Sequence, residues 1–353
     1  MKTTVQNLFP YPGYEEHITM SLSTDSGSTP DMAAVQEKIK AYSLPEGMEM
    51  RDITIPGVET GTELKLRIFK PSGSADHVPV LLDIHGGGFT SGSLDIDNYR
   101  CIALASMTPC IAVSVDYRLA SRELPFPAQL MDCLQAYQWL TENAEKIEGD
   151  PSRIALHGTS AGGNLAAALA LYLRDHALQT PALTVLNCPV LTDIMTASKL
   201  QFGNLSNTDV YYDMMESVYL NLQGQDTSYY GMPLLCRNLQ GLGPHMVIVA
   251  EYDPLRDEGL EYAARLLMNR VPCEISCAPR VTHGFCVVDE PLTRYVHRGI
   301  AASLRREFGM TVIEYPDSFF DEVLAIGAVK ELYQKIDGET NGLGSVLQKE
   351  LAE

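Results

Sequence analysis

The chain is polar and irregular up to residue 50 and then changes texture. Residues 51–55 and 63–69 alternate apolar with polar positions, the period-two pattern of a hairpin with one face covered. Nearly continuous apolar runs follow at 78–84, 110–115, 153–156, 183–188, 246–250 and 274–278. Runs this short and rich in β-branched residues predict strands buried on both faces, as in a parallel sheet. Helical spacing fills the gaps. The stretch 126–147 opens after Pro125, 161–173 is rich in Ala and Leu, 256–269 is amphipathic, and 292–308 closes the set. Strands alternating with such helices predict an α/β fold with a mostly parallel, doubly wound sheet. One stretch, 194–232, breaks the rhythm between two strand runs and is rich in Asn, Tyr and Met. It reads as a cap inserted over the sheet. Near the N-terminus, 21–30 reads as a loop and 31–42 as a short helix.

Composition narrows the function classes. A chain of 353 residues, 45% apolar and 20% charged, suits one large globular α/β domain with insertions. Its net charge of −19 and the lack of a Lys/Arg run exclude nucleic-acid binding, because phosphate backbones would be repelled. No apolar stretch reaches the roughly 18 residues of a membrane span, and residues 1–20 hold no apolar signal core, so a cytoplasmic protein is expected. The eight cysteines (Cys101, Cys110, Cys133, Cys188, Cys236, Cys273, Cys277 and Cys286) form no CxxC pair. They read as buried free thiols, and no metal site is expected of them.

The chemistry concentrates at two glycine-rich loops, each directly after a strand run. Gly158-Thr159-Ser160-Ala161-Gly162-Gly163 fits G-x-S-x-G between a strand and a helix. Such a sharp turn strains the serine backbone, lifts its hydroxyl above the sheet and backs it with a helix N-terminus. Ser160 is therefore the candidate nucleophile. His85-Gly86-Gly87-Gly88-Phe89 follows the run 78–84. Its glycines leave N–H groups uncovered, so Gly86 and Gly87, with Ala161, are the candidate oxyanion hole. No GxGxxG or Gly-Lys marks it as a phosphate loop, and His85 reads as a residue shaping the loop.

A nucleophilic serine needs a base and a carboxylate to orient it. His283 lies in a glycine-containing loop between the last strand run and the final core helix. His17 and His77 fall outside the catalytic edge, His176 and His297 read as exposed helix positions, His245 opens a strand at its wrong end, and His157 reads as packed. Asp253 directly follows the run 246–250, with Asp257 and Glu258 as runners-up inside the next helix. The order Ser160, Asp253, His283 is that of the α/β-hydrolases.

These residues resemble the hormone-sensitive-lipase-like esterases, family IV of the bacterial α/β-hydrolases. The likeness is carried by His85-Gly86-Gly87-Gly88-Phe89, Asp116-Tyr117-Arg118-Leu119-Ala120, Pro125-Phe126-Pro127-Ala128, Gly149-Asp150-Pro151-Ser152-Arg153, the stretch Gly158 to Ala166, Asp253-Pro254-Leu255-Arg256-Asp257-Glu258-Gly259 and His283-Gly284-Phe285. Their order and spacing agree over about residues 60–308. The resemblance implies a cofactor-free serine carboxylesterase for short-chain acyl esters, with a small-molecule ester as its partner. It also implies an N-terminal cap segment (1–50), a hydrolase domain (51–309) and a cap insertion (194–232).

Three departures stand out. Thr159 occupies a position that is often Asp, which resembles a branch carrying Thr there. Ser121-Arg122-Glu123-Leu124 replaces the usual Pro-Glu-His. Residues 310–353 extend past the usual end, with Phe319, Phe320, Val323 and Leu324 suggesting an amphipathic helix over the core or a partner subunit. A homodimer is compatible with this. Phe89, Tyr211, Tyr212, Met214, Met215 and Tyr219 are candidates for the substrate pocket, with ordinary packing inside the cap the alternative for those in the insertion. The other functional readings are an amidase or peptidase with the same triad, and a non-catalytic small-ligand binder of the same fold.

Overall fold

The computed structural model describes residues 44–74, 77–203, 229–287 and 291–315. An eight-stranded sheet runs through it in the order β1-β2-β4-β3-β5-β6-β7-β8. The strands are β1 (Met48–Pro56), β2 (Glu63–Pro71), β3 (Val78–Ile84), β4 (Ile111–Val115), β5 (Gly149–Thr159), β6 (Thr184–Asn187), β7 (His245–Ala250) and β8 (Cys273–Ala278). The expected hairpin is the antiparallel pair β1–β2, β2 runs antiparallel to β4, and every other pairing is parallel.

The central strands are covered on both faces, which is why they read as unbroken apolar runs. In β3, Val80, Leu82 and Ile84 face one core cluster and Leu81 the other. The first face packs against α2 (Ala128–Asn143), α3 (Ala161–Asp175) and α5 (Arg256–Met268). The second packs against α1 (Asn98–Met107) and α6 (Pro291–Glu307). A short α4 (Ala197–Phe202) opens the insertion. Among the described residues no helix is long and apolar enough to cross a membrane.

Two expectations need correcting, and one helix is unanticipated. His297 is wholly buried, not exposed, because it lies on the apolar stripe Thr293, Val296, Ile300 and Leu304 of α6. Strand β8 is not buried on both faces: it closes the sheet, and Ile275 and Cys277 are exposed. Helix α1, which the apolar pattern did not single out, carries the buried Arg100. Of the eight cysteines, six are buried, with Cys273 half-buried and Cys277 exposed, and all are free thiols. Residues 1–43, most of the insertion and residues 316–353 lie outside the described residues, so the N-terminal helix, the cap candidates Tyr211, Tyr212, Met214, Met215 and Tyr219, and the terminal helix do too.

Topology sets where a ligand can meet the sheet. From β3 the chain moves outward to β4 and returns to β5 on the other side of β3. In an open parallel sheet the crevice forms at such a reversal, beyond the carboxyl ends of the strands. The loop 85–89 leaves β3 there and the turn at Ser160 leaves β5 beside it.

Candidate active site

Close packing shapes both glycine loops. Ser160 has φ 57° and ψ −117°, a left-handed conformation that costs a side-chain-bearing residue energy, and it caps the N-terminus of α3. A Cβ on Gly158 would lie 2.1 Å from the carbonyl oxygen of Gly162, and one on Gly162 would lie 2.0 Å from that of Ile84. The helix thus sits directly on the end of β3, which only glycine permits. Across the crevice, a Cβ on Gly86 would come within 3.3 Å of the Ser160 Cβ, so the backbone of this loop abuts the serine.

The loop is held through its carbonyls and its histidine. Ser91 donates to the Gly87 carbonyl through N–H and Oγ, at 3.0 and 2.7 Å. His85 Nδ1 contacts the Gly86 carbonyl at 2.7 Å, and its ring stacks on Tyr117 at 4.1 Å. Tyr117 Oη donates to the His85 carbonyl at 3.0 Å. His85 therefore shapes the loop, as expected of it. Phe89 is not an accessible pocket residue: it is wholly buried in the core cluster that covers the α2–α3 face.

The three residues selected from sequence converge. Ser160 Oγ lies 2.9 Å from His283 Nε2, and His283 Nδ1 lies 2.8 Å from Asp253 Oδ2. Asp253 is wholly buried, and its Oδ1 accepts the Leu255 N–H at 2.8 Å. Burial pulls the proton affinity of His283 down, but the charge and hydrogen bond of Asp253 outweigh it and hold the imidazole above its ordinary 6.5. The proton on Nδ1 is thereby fixed toward the acid, which leaves Nε2 free to accept one from the serine. The runners-up serve elsewhere. Asp257 accepts the Ser198 N–H at 2.8 Å, while Glu258 accepts the Leu191 N–H at 2.9 Å and pairs with Lys199 Nζ at 2.6 Å.

Beneath the elbow lies a buried polar layer. His157 Nδ1 donates to Asp83 at 2.8 Å, and Arg100 clamps the same carboxylate at 3.1 and 3.0 Å. Burial leads the forces that keep His157 neutral, with Arg100 adding to it. Thr159 brings no replacement for an acidic side chain: its buried hydroxyl has no partner among the described residues. The variant loop closes on itself, Ser121 and Leu124 exchanging backbone hydrogen bonds at 3.2 Å. Among the described residues, the donors compact enough for a metal ion are Cys188, Asp253 and His283, with ligand atoms within 4.8 Å of one another. Two of these are already committed to the serine.

Residues 81–287 match the model of a family defined by the α/β-hydrolase fold. The chain is 35% identical over 278 residues to carboxylesterase NlhH of Mycobacterium tuberculosis, covering 76% of this chain and 86% of that one. This chain belongs to the hormone-sensitive-lipase-like α/β-hydrolases. It is a carboxylic ester hydrolase. An ethyl acetate hydrolase of Pseudomonas putida is 32% identical over 234 residues, 64% of this chain and 72% of that one. Among solved structures, ester-hydrolase EH1AB1 from the metagenome of Lake Arreo superposes with a TM-score of 0.75 at 30% identity, covering 86% of this chain and all of that one.

Two features of the site were not read from sequence. The backbone of Ser160 is gripped by the exit of β6, where the Asn187 carbonyl accepts its N–H at 2.9 Å and the Val190 N–H donates to its carbonyl at 3.2 Å. Cys188, in the same exit, faces the acid. The only sequence signal was its place at the end of a strand run, which suits any buried thiol.

Proposed function

We infer that the chain hydrolyses short-chain, acetyl-like carboxylic esters through an acyl-enzyme at Ser160. The carrying observation is the continuous chain Ser160 Oγ, His283 and Asp253, with links of 2.9 and 2.8 Å. His283 Nε2 takes the serine proton as Oγ attacks the ester carbonyl, and Asp253 stabilises the resulting imidazolium. The developing oxyanion is received by the N–H groups of Gly86, Gly87 and Ala161, the last being a helix N-terminal donor without an intrahelical partner. The C–O bond of the tetrahedral adduct breaks, and His283 returns its proton to the leaving alcohol. Water, deprotonated by His283, then releases the acid from Ser160. No cofactor enters these steps. An acetate ester stands in the name of the Pseudomonas putida relative, which supports a small acyl group.

The test is hydrolysis of p-nitrophenyl esters from acetate to palmitate by the wild type and Ser160→Ala. Turnover falling with chain length and abolished in the variant is expected. Palmitate turned over as fast as acetate would refute the short-chain reading, and substantial activity in Ser160→Ala would refute the nucleophile.

A further inference from the structure

We propose that Cys188 is a positioning residue: its thiol tethers the Asp253 carboxylate to the segment 187–191, whose backbone also grips Ser160. This rests on the reading of Ser160, His283 and Asp253 as the reacting unit. Segment 187–191 reaches both the serine and the helix that follows the acid. Asn187 and Val190 bond both backbone groups of Ser160, and the Leu191 N–H donates to Glu258 on α5, just past the acid. Between these contacts stands Cys188, with its Sγ within 4.8 Å of an Asp253 oxygen and a His283 nitrogen.

The backbone points the same way. Cys188 has φ 46°, a left-handed conformation that glycine adopts freely and cysteine at a cost. Its N–H is fixed to the Ile248 carbonyl at 2.8 Å, on the strand that leads to Asp253. A side chain is thus kept at a position where the backbone favours none, and that side chain faces the acid. The thiol is 3% exposed, and burial first, with the Asp253 charge next, pushes its pKa well above that of an ordinary thiol, so it stays protonated beside the carboxylate. It is a donor, not a second nucleophile. Asp253 accepts from Leu255 in its own loop and pairs with His283 in the base's loop, and the protonated thiol of Cys188, just past β6, is placed to be the third donor.

A donor on this carboxylate spreads its charge and fixes its plane relative to the imidazole. Removing the thiol concentrates that charge on His283, which makes the base more basic and less well oriented. The experiment is the pH dependence of kcat and kcat/KM for p-nitrophenyl acetate in wild type, Cys188→Ala, Cys188→Gly and Cys188→Ser. Glycine suits the positive φ, so Cys188→Gly keeps the test alive if Cys188→Ala does not fold. Loss of the thiol is expected to lower kcat on the order of fivefold at unchanged KM and to raise the acid limb by roughly half a pH unit. Cys188→Ser, which restores a donor, is expected to bring both back toward wild type. An acid limb in Cys188→Ala or Cys188→Gly that coincides with the wild type would overturn the proposal whatever kcat does, because packing alone does not move it. Ser160→Ala run alongside separates the failures: activity surviving there sinks the triad reading, whereas full loss with unmoved limbs sinks only the tether.

Discussion

Substituting Gly162 by alanine tests whether the serine turn and the glycine loop act as one rigid unit. The added Cβ would stand 2.0 Å from the Ile84 carbonyl oxygen and 2.5 Å from that of His85, both backbone atoms with no rotamer to yield. Ordinary contact begins at 3.4 Å, so the first turn of α3 and the end of β3 must part by 3.4 − 2.0 = 1.4 Å. That parting falls between Ser160 and the N–H groups of Gly86 and Gly87, across the distance the tetrahedral adduct must span. Misplacement of about 1 Å typically costs on the order of 10²-fold in rate. Overpacking itself costs about 1–3 kcal/mol, which a domain of this size survives. Gly162→Ala should therefore unfold cooperatively at a somewhat lower Tm while losing about 10²-fold in kcat on p-nitrophenyl acetate, with KM little changed. Steady-state kinetics and thermal unfolding on the same preparation decide it. A variant that keeps kcat within about twofold at near-normal Tm would refute the argument, since the crevice would then tolerate the displacement.

Other expectations follow from the same geometry. Gly299 on α6 has only the Met246 Cε near its Cβ direction, at 3.6 Å, so Gly299→Ala should raise stability by about 0.5–1 kcal/mol in urea unfolding; a lower midpoint would contradict the assigned space. Asp253→Asn should lower kcat by about 10⁴ and, because Asp253 is what raises His283, shift the acid limb of the residual activity to lower pH; a limb moving upward would reverse the assigned charge coupling. Burial pushes His245 down to about 4 and His297 down to about 3, against 6.5 for the free side chain. Both stay neutral in the fold while the unfolded chain takes up protons below 6.5, so stability is full above that pH and falls beneath it. Each should cost between about 2 and 3 kcal/mol by pH 4.5. Urea unfolding of His297→Leu between pH 7 and 4.5 should show a shallower loss than wild type, and identical slopes would rule His297 out.

The sequence is most legible where one physical demand acts along the chain. Strands covered on both faces must be apolar at every position, so β3, β4, β6 and β7 stand out without reference to anything they touch. The serine turn is legible for a related reason: the close approach of α3 to Ile84 and of Gly158 to Gly162 excludes any side chain, which writes glycines at fixed offsets from Ser160. What escapes is set by partners far away in sequence. Helix α1 is obscured by Arg100, a charge that belongs inside because Asp83 of β3 clamps it there, with Asp97 pairing from the residue before the helix. Strand β8 reads as one more buried run on the strength of Ile275 and its cysteines, although Glu274 and Ser276 interrupt it where β7 carries Met246, Val247, Ile248 and Val249 in succession.

Cys188 marks the limit of such reading. Its thiol has the same local setting as Cys110 or Cys133, an apolar environment that invites the label of inert packing. What separates it is a left-handed backbone and an acid 65 residues on, reached because β6 and β7 are adjacent and in register, Asn187 beside Ile248. The exit of one strand therefore serves two residues of the site at once: its backbone answers to Ser160 and its side chain to Asp253. Sequence spacing can name a nucleophile, a base and an acid, because each needs its own turn. It cannot name the residue that holds two of them in common, because that role belongs to the register of the sheet.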